Sequence, residues 1–253
     1  MTTDTSNDRL VSTSSTDADQ DDVQVSTGST DAQHDAGVST RSTGASLTDM
    51  TTPAPVGYGW RVVDIVVAAV LGVACGLLFW AWNGPGFALY DVLEAVTPGL
   101  GGLTQGLWLI GGPLGALIIR KPGAAIFVEL VAAILSALLG SAWGTSTIWY
   151  GLAEGIGAEL IFLILLYRKF NLPVAIVSGM LAGAGEWAFE LFTGNMAKTF
   201  AFNAVYLIAN MVSGAILAGA LAWFLMRALA RTGVLSRFAA GRDVRRLDRD
   251  AAR

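Results

Sequence analysis

From Arg61 onward the chain consists of six apolar runs, each close to the ~20 residues an α-helix needs to cross a bilayer. They cover about residues 61–82, 99–119, 123–140, 148–167, 172–192 and 202–226. Lipid offers backbone polar groups no water to bond, so runs of this length satisfy their own hydrogen bonds as helices. The pattern predicts an all-α integral membrane protein, a bundle of six transmembrane helices. A further short apolar segment, 87–96, is expected either to lie at the surface or to re-enter.

Composition supports this division. Hydrophobic residues make up 53% of the chain and charged residues 14%, although residues 1–58 are strongly polar. The remainder is therefore far more apolar than a soluble domain. Residues 1–58 are rich in Ser, Thr and Asp, with Val-Ser-Thr recurring at Val11, Val25 and Val38. Such a segment has too little to bury to offset its conformational entropy. It is expected to be a disordered acidic tail, without the basic start and apolar core of a signal peptide. The six-helix domain is expected over 59–230. A basic tail follows over 231–253, positioned to touch anionic lipid.

Lys and Arg placement orients the bundle. Arg61 precedes the first run. Arg120 and Lys121 separate the second and third, Arg168 and Lys169 the fourth and fifth, and Arg227 and Arg231 follow the sixth. The other three connections carry only Lys198. The positive-inside rule then puts both termini in the cytoplasm of a multi-pass protein of the cell membrane. Connections 83–98, 141–147 and 193–201 face outward.

Several chemistries are excluded. Cys75 is the only cysteine and His34, in the polar tail, the only histidine. No disulfide framework, Cys-based metal site or His-dependent catalysis fits the membrane part. No Walker A pattern occurs, so ATP is not hydrolysed by that route. The chain is not expected to be an enzyme or to hold a cofactor or a metal.

The six glutamates all lie in the membrane region: Glu94, Glu129, Glu154, Glu159, Glu186 and Glu190. An acid at membrane depth is costly unless it pairs, protonates or faces a cavity. Each is read against a structural alternative, bonding to backbone, to Trp N–H or to Ser and Asn across helices. Glu186 and Glu190 are four residues apart and share a helix face. Glu154 lies about two turns from the outer end of its run, with Glu159 and Glu129 nearer the midplane. Asn203, Tyr206 and Asn210 recur at helical spacing in the outer half of the last run and are expected to face protein. Tryptophans gather toward the same side; Trp82 and Trp143 suit an interfacial belt, and Trp149 and Trp187 suit a ligand box. The candidate substrate-binding residues are therefore Glu154, Glu186, Glu190, Trp149, Trp187, Asn203, Tyr206 and Asn210. Acids beside aromatic faces suit a small cationic or amine-bearing heterocycle. In the first run Ala68, Gly72 and Gly76 form a small-residue stripe, which serves close packing either within the bundle or with a separate membrane subunit.

The run IRKPGAAIFVELVAAILSALLG (119–140), GIGAELIFL (155–163), FELF (189–192) and RTGVL (231–235) resemble the YkoE family. These are substrate-binding S components of energy-coupling factor (ECF) transporters, associated with thiamin and its hydroxymethylpyrimidine precursor. The resemblance covers about 59–242, and 120–129 is its most specific piece. It implies a six-helix S component with an outward-opening ligand site. It also implies partners: a transmembrane coupling protein and two ATPase subunits. In the family, small residues at four-residue spacing on the first helix meet the coupling protein, and Ala68, Gly72 and Gly76 match that pattern. The alternatives are a stand-alone proton-coupled carrier relaying protons through Glu129 and Glu159, an intramembrane enzyme, and a scaffold. No internal repeat favours the carrier. No catalytic dyad at depth favours the enzyme, and a scaffold leaves the buried acids unexplained.

Overall fold

The computed structural model describes residues 59–251; the expected acidic tail lies outside them. Every regular element among the described residues is helical. The order is α1 (Val62–Val96), a 3-10 stretch (Leu100–Leu107), α2 (Gly111–Ile119), α3 (Ala124–Leu138), α4 (Ser146–Ile164), α5 (Leu172–Thr193), a short 3-10 turn (Asn195–Ala197), α6 (Phe200–Ser213), a π stretch (Gly214–Ala220), α7 (Leu221–Arg231) and α8 (Ala239–Ala251). Five helical spans are long and apolar enough to cross a membrane: Val62–Val96, Leu100–Ile119, Ser146–Ile164, Leu172–Thr193 and Phe200–Arg231. The sixth pass, α3, has 15 residues and spans about 22 Å.

Three expectations are corrected. The connection expected at 83–98 is helical as far as Val96, so α1 has 35 residues and carries Pro85 inside it. Proline removes one backbone hydrogen bond from the helix. The helix continues because its far half is packed: Gly86 lies against the Trp82 and Trp108 rings, and the Tyr90 ring lies against Gly101. The second run, expected as one helix, is divided between the 3-10 stretch and α2. An eight-residue 3-10 segment is longer than such segments usually are. Side chains hold it from outside. Glu94 accepts from Gly99 N at 3.0 Å and Gly101 N at 3.2 Å, and Ser213 Oγ accepts from Gly106 N at 3.0 Å.

Glu159 is the third correction. Expected nearer the midplane, its carboxylate lies at the start of α3, next to the Arg120–Lys121 turn. Its carboxylate accepts from Gly123 N at 2.8 Å, Ala125 N at 2.7 Å and the Tyr167 hydroxyl at 2.5 Å. The first backbone N–H groups of α3 have no partner in their own helix, and a carboxylate there also suits the helix dipole. Glu159→Ala strands these donors in a buried place, at an expected cost of at least ~2 kcal/mol. Glu159→Gln, which keeps an acceptor oxygen, is expected to lose less. Thermal unfolding in detergent measures both.

All nine residues of α2 are buried, so it forms the centre of the bundle. Around it α1 packs on α3, α3 on α4, α4 on α5, and α5 on α6 and the π stretch. The cationic end is fastened by charge. Buried Asp64 pairs with Arg61 at 2.8 Å and Lys121 at 2.7 Å. Lys121 also donates to Gly59 O, and Trp60 Nε1 donates to Pro122 O at 3.0 Å. Arg120, in a left-handed conformation with φ 57°, pairs with Asp243 of α8 and lies 4.8 Å from the Phe170 ring centre. The basic tail thus contains a helix whose Ala240 and Val244 are buried, while Arg242, Arg245, Arg246 and Arg249 remain exposed.

Candidate functional site

At the end opposite Arg120 and Lys121, rings from α1, Trp108 just after the 3-10 stretch, the α3–α4 turn, α4 and α5 form a continuous chain. Trp82 and Trp108 are 6.2 Å apart, Phe87 and Trp143 4.6 Å, Trp108 and Trp143 5.4 Å edge-on, Trp143 and Tyr150 6.1 Å, and Tyr150 and Phe189 4.9 Å edge-on. Two of the indoles are aimed by hydrogen bonds. Trp108 Nε1 donates to Asn83 Oδ1 at 3.1 Å and Trp82 Nε1 to Thr104 O at 3.2 Å.

These rings wall three adjoining cavities. The one at the mouth, about 290 Å³, is bordered by Trp143, Tyr150, Phe189, Glu190 and Asn195. A second, about 200 Å³, lies among Phe87, Tyr90, Gln105, Trp108, Glu190 and Tyr206. A small third, about 30 Å³, reaches Phe79, Glu154 and Glu186. Glu190 borders the two larger cavities. Neither Lys nor Arg lines any of the three. A space walled by carboxyl groups and ring faces, without a cation, favours ligands that bring positive charge or N–H donors.

Neutral groups hold the acids in place. Asn210 Nδ2 donates to Glu186 Oε2 at 3.0 Å, and Asn195 Nδ2 to Glu190 Oε2 at 3.2 Å. The Tyr206 hydroxyl stands beside the Glu190 carboxyl and accepts from Gln105 Nε2 at 2.9 Å. Beneath the cavities Glu129 accepts from Gly112 N and lies beside Glu154. Its Oε1 is buried without a hydrogen-bond partner.

The candidate residues separate by position. Glu154, Glu186, Glu190 and Tyr206 line the cavities, and Asn210 stands behind Glu186. Asn203 donates to the carbonyls of Asn195 and Thr199 at 2.9 and 3.2 Å and so shapes the α5–α6 turn. Trp149 is 60% exposed on the outside of α4 and borders none of the three cavities. Trp187 also lies outside them, half-buried, with its Nε1 enclosed and unpartnered. The cavities instead use Trp143 and Trp108, together with Phe87, Tyr90, Gln105 and Tyr150, which periodicity alone did not single out. The signal for Phe87 and Tyr90 was the short apolar segment 87–96. The stripe Ala68, Gly72 and Gly76 is buried. Gly72 abuts Val131 and Gly76 abuts Leu135 and the Ala132 carbonyl, so in this conformation α3 fills the stripe.

Among the described residues no group of three or more His, Cys, Asp and Glu is placed to hold a metal ion.

Comparison with known proteins places this architecture. Residues 63–185 match the family described as ABC-type cobalt transport system, permease component. The YkoE protein of Bacillus subtilis (strain 168), whose name assigns it to HMP/thiamine permeation, is 31% identical over 190 residues, 74% of this chain and 93% of that protein. A crystal structure of an S component of an ECF transporter superposes with a TM-score of 0.65 at 29% identity. That match covers 77% of this chain and 98% of the other. With its all-helical bundle and buried acid-and-aromatic cavities, the chain belongs to the YkoE family of S components of energy-coupling factor transporters.

Proposed function

We propose that the protein captures thiamin or its hydroxymethylpyrimidine precursor at the outer face of the membrane and delivers it with a coupling protein and two ATPase subunits. The observation that carries this reading is the joining of three buried or half-buried glutamates to a ring-walled space without a cation. An aminopyrimidine supplies N–H donors for Glu154 and Glu186. A thiazolium supplies a positive charge for Glu190 and a flat face for Trp108. The positive-inside rule turns these cavities outward, opposite Arg120, Lys121, Arg168 and Lys169. Contact of a coupling protein with Ala68, Gly72 and Gly76 requires α1 and α3 to part, because α3 occupies that stripe.

Calorimetry of the full-length protein in lipid nanodiscs tests the reading against thiamin, hydroxymethylpyrimidine and cobalt(II). Saturable binding of a thiamin-related compound, with no heat from cobalt, is expected. Binding of cobalt alone would sink the proposal. Co-purification with a coupling protein and ATPases from the native membrane is the matching test of delivery.

A further inference from the structure

Trp143 borders all three cavities. Its indole stands between the mouth, about 290 Å³, and the inner cavity, about 200 Å³. The inner cavity falls below the roughly 300–1,000 Å³ of sites for drug-sized ligands, the mouth stands at its lower edge, and the two joined lie inside that range. The same indole touches Phe87 and Trp108 on the inner side and Tyr150 on the mouth side. Glu190 borders both spaces as well, so the junction combines one carboxylate with one indole face.

The backbone that carries this partition differs from the helices around it. Trp143 lies in the short turn between α3 and α4, flanked by Gly140 with φ 97° and Gly144 with φ 55°. Nothing in the protein lies within 4 Å of where a Cβ would stand on either glycine. Trp143 N makes a long 3.4 Å contact with Ser141 Oγ, and Trp143 O accepts from Ser146 N at 3.1 Å. These bonds are local to the turn, and ring packing connects the indole to the helices.

We propose that Trp143 sets the length of ligand the site accepts. A one-ring heterocycle fits one compartment with the indole in place. A two-ring cation fits only when the indole leaves the partition, so that its rings occupy both compartments and its positive atom lies at Glu190. This inference rests on the proposed heterocycle-binding function and adds the residue that discriminates within that class. Moving the indole sacrifices its contacts with Phe87 and Trp108, and the long ligand must replace them. Shrinking residue 143 removes that cost for the two-ring ligand and removes a wall from the one-ring ligand. The two affinities therefore move apart.

The test is the ratio of two dissociation constants, hydroxymethylpyrimidine over thiamin, measured by calorimetry on full-length protein in nanodiscs. Wild type, Trp143→Phe and Trp143→Ala are compared. The ratio is expected to rise at least tenfold in Trp143→Ala, with Trp143→Phe in between. A ratio within twofold of wild type in both variants overturns the partition, even if both affinities fall. Should Trp143→Ala fail to purify as a monodisperse species, Trp143→Phe decides alone, with a threefold rise as the threshold. Wild-type protein that binds neither compound overturns the proposed function and this inference with it. Wild-type binding with an unchanged ratio overturns this inference only.

Discussion

Glu190→Ala protein is expected to bind thiamin at least tenfold more weakly than wild type, a loss of at least ~1.4 kcal/mol. Glu154→Ala is expected to weaken hydroxymethylpyrimidine by a similar factor. Glu190 borders both larger cavities; Asn195 and Tyr206 hold it in place, and Lys198 is the nearby cation, outside the cavity linings. Removing Glu190 takes from a ligand cation the one carboxylate that borders the two larger, ring-lined cavities. Glu154 sits deeper, 5% exposed, on the small third cavity of about 30 Å³. Calorimetry on the purified variants is decisive: unchanged affinities in both would remove these acids from the site. Glu190→Gln keeps size and hydrogen bonding while removing charge. It is expected to spare the neutral pyrimidine more than the cation.

Gly179→Val is expected to destabilise the bundle severely. A Cβ at position 179 would stand 2.1 Å from the Gly214 carbonyl oxygen and 2.6 Å from Gly219 N. Both obstacles are backbone, so no rotamer change relieves them. The helices must separate, and α5 lies against the π stretch along its middle. Overpacking in a close-packed interior costs about 1–3 kcal/mol where side chains can shift. Here the backbone itself must move, and ~3 kcal/mol or more is expected. Loss of the monodisperse peak, or a fall in thermal midpoint well beyond that of Glu159→Gln, measures the effect. A midpoint equal to wild type would contradict the close approach of α5 and the π stretch.

The π stretch itself was not legible in the chain. Residues 202–226 read as one continuous helical run, and the structure continues that run as α6, the π stretch and α7. Gly214 and Gly219 lie where α5 approaches to backbone contact, a constraint set by a helix distant in sequence. The division of the second run has the same origin. Its glycines were visible, but the partners Glu94 and Ser213 come from other elements.

Among the acids, the amino-acid sequence raised one question about six glutamates and had no means to separate them. The structure assigns Glu94 to the N–H groups of Gly99 and Gly101, and Glu159 to the start of α3. Glu129 is bound to Gly112 N beneath the cavities, and Glu154, Glu186 and Glu190 remain to line them. Depth along a helix can be counted from sequence. The direction in which a side chain points relative to other helices cannot, and that direction separates a cap from a ligand contact. Trp149 and Trp143 make the same point in reverse. They are six residues apart around one turn, yet the first faces away from the cavities at 60% exposure and the second borders all three.

By itself the sequence determined the class of the protein. Six apolar runs force helices because lipid leaves backbone groups no other partner, and the motif at 120–129 carries the family. Charge placement also separated a cationic end from an acid-and-tryptophan end. Only the tertiary structure decided which residues meet inside that second end. Periodicity reports which face of a helix is polar. Convergence of Glu190, Trp143, Tyr150 and Tyr206 depends on how α1, the 3-10 segment, α4, α5 and α6 are rotated about their axes. That rotation is set by close contacts between small residues and by buried hydrogen bonds across helices, which are non-local and leave no spacing in the chain.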